Sequence, residues 1–223
     1  MSNQSAFPTK QLVNLALFAL AMAYLEATVV VYLRELFYPA GFSFPLKEIP
    51  QKIYLIELGR EVATMIMLVT VGWLSARNFL TRFAGFMLAF GIWDIFYYIF
   101  LKLTINWPVD LLEWDVLFLI PLPWLGPVLA PILVSCCLMG AGVMIWWLEA
   151  NGIKLEISKW EWSVFILSGL IIIISFLTNT KVLLEKVIPH HFFWEIFFVG
   201  LLLGLILFLV RIIKKIKQLQ TGD

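Results

Sequence analysis

The chain is predicted to be all-α: an integral membrane bundle of six transmembrane helices, the fourth preceded by a proline-rich break. Three observations lead there. Hydrophobic residues make up 62% of the 223 residues and charged residues 14%, with a mean hydropathy of +0.94, a balance outside that of soluble globular domains. Six apolar stretches, 12–33, 53–76, 79–103, 124–148, 160–178 and 191–213, approach or exceed the ~20 helical residues that cross about 30 Å of hydrocarbon. Runs such as 170–177 are apolar without alternation, which argues against barrel strands. The connections are short, so residues 1–223 read as a single transmembrane domain.

The first stretch carries small-residue pairs at Ala19, Ala21 and Ala23 that resemble signal-peptide cleavage sites. Its apolar run continues to Leu33, beyond the roughly 7–15 residues of a signal-peptide core, so an uncleaved helix is expected. The second stretch holds Glu57, Arg60 and Glu61. With Thr64 they follow i, i+3, i+4, i+7 and share one helical face. Each strongly apolar residue of this helix favours insertion by about 0.3–0.6 kcal/mol, and each charge opposes it by up to about 2.5–3.5 kcal/mol at the bilayer centre. The sum is near zero, so this helix inserts only if other helices or water cover its charged face. Glu26 on helix 1 and Asp94 on helix 3 are the natural groups to face it. On helix 3, Asp94 shares a face with Gly91, Tyr97 and Tyr98, whose hydroxyls are one turn from the carboxylate.

The apolar run 116–148 is too long for one span and is broken by Pro121, Pro123, Pro127 and Pro131. A short outer element, a turn at Pro121 and Pro123 and then helix 4 are expected, with the freed backbone buried in protein or lining water. Cys136 and Cys137 are adjacent on helix 4 and point in different directions, which suits packing rather than a disulfide. Gly200 and Gly204 on helix 6 form a GxxxG, most simply a close-packing site. The basic tail, Arg211, Lys214, Lys215 and Lys217, reads as an anchor and orientation signal, with anionic lipid binding as a further option.

Six spans put both termini on one side. That side collects Lys10, Arg77, Arg82, Lys154, Lys159 and the four basic residues of the tail; the other collects Arg34, Lys47, Lys52, Lys102, Lys181 and Lys186. The bias favours cytoplasmic N- and C-termini. At a rise of about 1.5 Å per residue, Glu26 lies about 10 Å below its outer end; Glu57, Arg60 and Glu61 lie about 6, 10 and 12 Å down; Asp94 lies about 13 Å and Glu195 about 6 Å down. The intramembrane charges therefore gather in the outer half.

Such charges mark a function or a buried structural pair. Glu26, Glu57, Glu61 and Asp94 set four carboxylates against one arginine, an excess that a proton or bound cation must offset. Two readings stay open. Arg60 pairs across the bundle and locks helices 1–3 together, or an acidic pocket, lined by Glu26, Glu57, Arg60, Glu61, Asp94, Tyr97 and Tyr98 with Asp115 at its mouth, takes a cation, proton or small polar solute. A charged face that completes a larger membrane complex is the alternative class, and a membrane-embedded enzyme the third.

Other chemistry has little support. Phosphate-cradling loops, nucleophile elbows, HExxH and CxxC are absent from the sequence, so no cofactor is assigned. Metal ligation is confined to His190, His191 and Glu195, and two histidines are too few for a multi-histidine centre. A net charge of +1 leaves no footprint for nucleic acid; the partners expected are the lipid bilayer, a small solute or cation, and other membrane subunits. Through the segments 91–98 (GIWDIFYY) and 114–121 (WDVLFLIP) the chain resembles a family of uncharacterised bacterial polytopic membrane proteins, over about 24–135. The resemblance implies a membrane fold and carries no activity or site residue. The charge pattern of helices 1–3 is not echoed in helices 4–6, which argues against an inverted-repeat transporter.

Overall fold

A computed structural model describes residues 8–47, 49–180 and 191–221. Six helices stand among them: α1 (Thr9–Phe37), α2 (Gln51–Leu74), α3 (Phe79–Ile105), α4 (Leu129–Ala150), α5 (Lys159–Leu177) and α6 (Trp194–Thr221). Two short strands, β1 (Trp114–Phe118) and β2 (Trp124–Pro127), sit between α3 and α4. Five of the helices, α1, α3, α4, α5 and α6, are long and apolar enough to cross a membrane. α2 has 24 residues and falls outside that set, in keeping with the charges along it.

The strands correct the expected course of the chain. The sequence places helix 4 from residue 124, but 124–127 pair antiparallel with β1, in the register Trp114↔Pro127, Asp115↔Gly126 and Val116↔Leu125. A bulge between Val116 and Phe118 brings Phe118 opposite Trp124, and α4 starts only at Leu129. A hairpin meets the demand of prolines in an apolar run: strand pairing satisfies backbone groups that a broken helix would leave bare.

α3 is the axis of the fold. It packs against α1, α2 and α4, and 61% of its most apolar window is buried, against 17–28% in the other four candidate spans. Its N-terminus is capped by Asn78, whose side chain accepts from the Thr81 amide at 3.0 Å. Small residues let the helices approach: Ala19, Ala23, Ala84 and Ala89 lie fully buried in the core shared with Leu15, Leu68 and Leu88. α5 and α6 form a second pair. Ser168 donates to the Gly200 carbonyl at 2.7 Å, and a Cβ at Gly200 would meet Ile172 and Ser168 at 2.8–3.0 Å. The GxxxG thus packs one helix of this chain against its neighbour. Phe176, Phe192 and Phe197, with Trp114 and Trp124, seat this pair against the hairpin.

At the crossing of α2 and α3, a Cβ on Gly72 would lie 2.5–2.8 Å from the backbone and Cβ of Phe86. Gly140, on α4, faces open space. Gly72→Ala should lower stability by about 1–3 kcal/mol through overpacking, while Gly140→Ala leaves it unchanged or raised. Thermal unfolding in detergent checks the contrast, and equal effects at the two positions would contradict the crossing.

Candidate functional site

The i, i+3, i+4, i+7 face of α2 meets the rest of the protein as its spacing demands. Glu57, Glu61 and Thr64 are buried. Arg60 donates to Glu57 Oε2 through Nε at 2.8 Å and Nη2 at 2.7 Å, and its Nη1 pairs with Glu26 of α1. The other oxygen of Glu26 accepts from the Thr64 hydroxyl at 3.0 Å. One guanidinium therefore bridges two carboxylates on two helices.

Glu61 turns to the hairpin instead. Its two oxygens accept from the backbone amides of Leu119 and Ile120 at 2.8 and 3.2 Å. These amides belong to the turn between the strands, where the ladder has no partner for them. A buried carboxylate with two backbone donors is a strong, directional contact, and it fixes the turn against the middle of α2.

Asp115 is not at the mouth of a pocket: it is 3% exposed. Arg34, near the end of α1, donates to it at 3.1 Å, and the Tyr98 hydroxyl donates at 3.3 Å. The Arg34 guanidinium lies over the rings of Phe42 and Trp107, 4.3 and 3.7 Å from their centroids. Sequence reasoning missed Arg34 because, near a helix end, it reads as an outer-loop charge. The only signal was its spacing of two turns from Glu26, which is weak.

Asp94 differs from the expected arrangement as well. It does not face α2, and neither tyrosine hydroxyl bonds it. It is 7% exposed, and its partner is the Ser135 hydroxyl of α4 at 2.8 Å. None of the described basic side chains pairs with it. Tyr97 stands among Asp94, Asp115, Arg34 and Arg60 and Tyr98 stacks edge-on against it, with centroids 4.9 Å apart.

A cavity of about 620 Å³ opens beside these groups. Glu26, Arg60, Asp94, Tyr97 and Tyr98 line it, whereas Glu57, Glu61 and Asp115 stand behind, holding the liners and the hairpin. The rest of its wall is almost wholly apolar and comes from α3, α4, α5, α6 and both strands. Trp93 and Trp124 are among the lining residues, but their indole N–H atoms are buried away from the open space. Cys136 and Cys137 are free thiols, the second lining the cavity.

Of the metal candidates, His190 lies outside the described residues. His191 and Glu195 are exposed and line no part of the cavity. Among the described residues no group of three or more His, Cys, Asp or Glu side chains is placed to hold a metal ion. No protein-family model, curated protein or solved structure matches the chain.

The Arg34–Asp115 pair can be tested directly. Removing one partner of a buried pair leaves a charge uncompensated and typically destabilises by about 3–5 kcal/mol. Arg34→Ala should therefore sharply lower the unfolding temperature, and Arg34→Met combined with Asp115→Leu should recover much of the loss. A mild effect of Arg34→Ala alone would show that the pair does not hold the hairpin.

Proposed function

We propose that this chain is a six-span protein of a bacterial inner membrane, with both termini cytoplasmic, that binds or transports a cation or small polar solute through an acidic pocket in the outer half of the bilayer. α2 is the sixth span: its charged face is covered by α1, α3 and the hairpin, so the groups that oppose its insertion do not meet lipid. The observation that carries the reading is Asp94. The two arginines are already engaged, Arg60 with Glu26 and Glu57 and Arg34 with Asp115. Glu61 is answered by backbone amides. Asp94 faces the cavity with one neutral hydroxyl for company.

A carboxylate buried this deeply without a counter-charge is costly, and a bound cation or proton relieves it. The cavity offers the space. A purely structural network would have closed around Asp94 as it closed around Asp115. The accessory-subunit alternative rests on the same charges facing a partner. The pairs of Arg60 and Arg34 within the chain weigh against it, because the charges are spent internally.

A ligand that binds only the folded state raises its stability, by about 2.7 kcal/mol at a hundred times its dissociation constant. Thermal unfolding of the protein in lipid nanodiscs, across a panel of inorganic and organic cations, should show at least one that raises the midpoint by several degrees. Asp94→Asn, close to isosteric, should fold and lose that response. A wild-type protein that responds to no cation, or a variant that responds equally, would contradict the pocket.

A further inference from the structure

The wall of the cavity, and not its acidic end alone, selects a ligand. Phe90 and Trp93 of α3, Phe118 of β1, Trp124 of β2 and Phe176 of α5 all line it. Their rings follow one another in an unbroken arc, with centroid separations of 5.5, 6.3, 5.2 and 6.1 Å. Asp94 follows Trp93 in α3, and both residues line the same space. Two independent features thus surround it: a carboxylate without a counter-charge among the described residues and an aromatic arc.

Resting on the acidic-pocket reading, we infer that the ligand is a lipophilic organic cation: a flat or branched apolar body carrying a positive nitrogen or phosphorus. Each part of the site excludes a simpler occupant. A hydrated inorganic ion would leave the large apolar wall empty or wet. A neutral hydrocarbon, a lipid tail included, would leave Asp94 with the Ser135 hydroxyl and no counter-charge, an unfavourable state for a buried carboxylate. An anion would meet Asp94 and the surplus carboxylate of the Glu26–Arg60–Glu57 bridge. A lipophilic cation sets its charge beside Asp94 and against ring faces, which attract cations most strongly where water is excluded. Its body fills the cavity. The volume of about 620 Å³ falls within the ~300–1,000 Å³ of sites that enclose drug-sized molecules.

The test uses the full chain in lipid nanodiscs with rhodamine 6G, a fluorescent lipophilic cation. Its fluorescence polarisation should saturate at one site per chain, above the non-saturating uptake of empty nanodiscs. Tetraphenylphosphonium should displace it, and the neutral triphenylphosphine oxide should not. Asp94→Asn should weaken binding by more than about tenfold, as expected when one side of a buried charge pair is removed. Phe118→Leu, which leaves every charge in place, should weaken it by about two- to thirtyfold through the loss of one ring. Non-saturating uptake, equal displacement by the neutral compound, or full affinity in Asp94→Asn would overturn the inference. If inorganic cations still stabilise the protein through Asp94 while rhodamine 6G never saturates, the acidic pocket stands and the lipophilic ligand falls.

Discussion

The arrangement depends on one constraint: a non-helical segment packed among long apolar helices must have its backbone satisfied. The hairpin 114–127 meets it partly by strand pairing, and Glu61 supplies acceptors for the two amides at its turn. Arg34 then fixes the strand itself through Asp115. Charges that would be unfavourable in lipid are here the groups that make an irregular roof possible. Because the roof is fixed, Phe118 and Trp124 stand over the space between α3–α4 and α5–α6, and the cavity has a defined end.

This separates the acidic residues into two kinds. Glu26, Glu57 and Asp115 are paired with an arginine and Glu61 is met by two backbone amides. Asp94 joins α3 to α4 through the Ser135 hydroxyl and has no counter-charge among the described residues. On the proposed reading, the structural and functional accounts of the cluster are therefore not rivals: four carboxylates hold the frame and Asp94 meets the ligand.

Much of the frame was legible from hydropathy, since helices that must shield their backbones in lipid declare themselves as long apolar runs. The face shared by Glu57, Arg60, Glu61 and Thr64 was legible too, because helical periodicity fixes which side chains lie together. What periodicity cannot fix is the rotation of one helix against the next. Asp94 was expected to face α2 and faces Ser135 of α4; the tyrosine hydroxyl expected on Asp94 sits on Asp115. The hairpin was hidden for another reason. Strands of five and four residues in a run of Val, Leu, Phe and Ile have no pattern that distinguishes them from a buried helix. Arg34 was hidden because an arginine near a helix end more often reaches the headgroups than a buried aspartate.

The most direct measurement of the central claim, that buried charges hold the hairpin down as the roof of the cavity, is amide hydrogen exchange over residues 114–127 in wild type and in Glu61→Ala. Exchange reads local opening segment by segment. In the wild type the hairpin should exchange as slowly as the buried core of α3. In Glu61→Ala the amides of Leu119 and Ile120 and the strands beside them should lose protection while α3 keeps its own. Fast exchange of the hairpin in the wild type, or unchanged protection in the variant, would contradict the account.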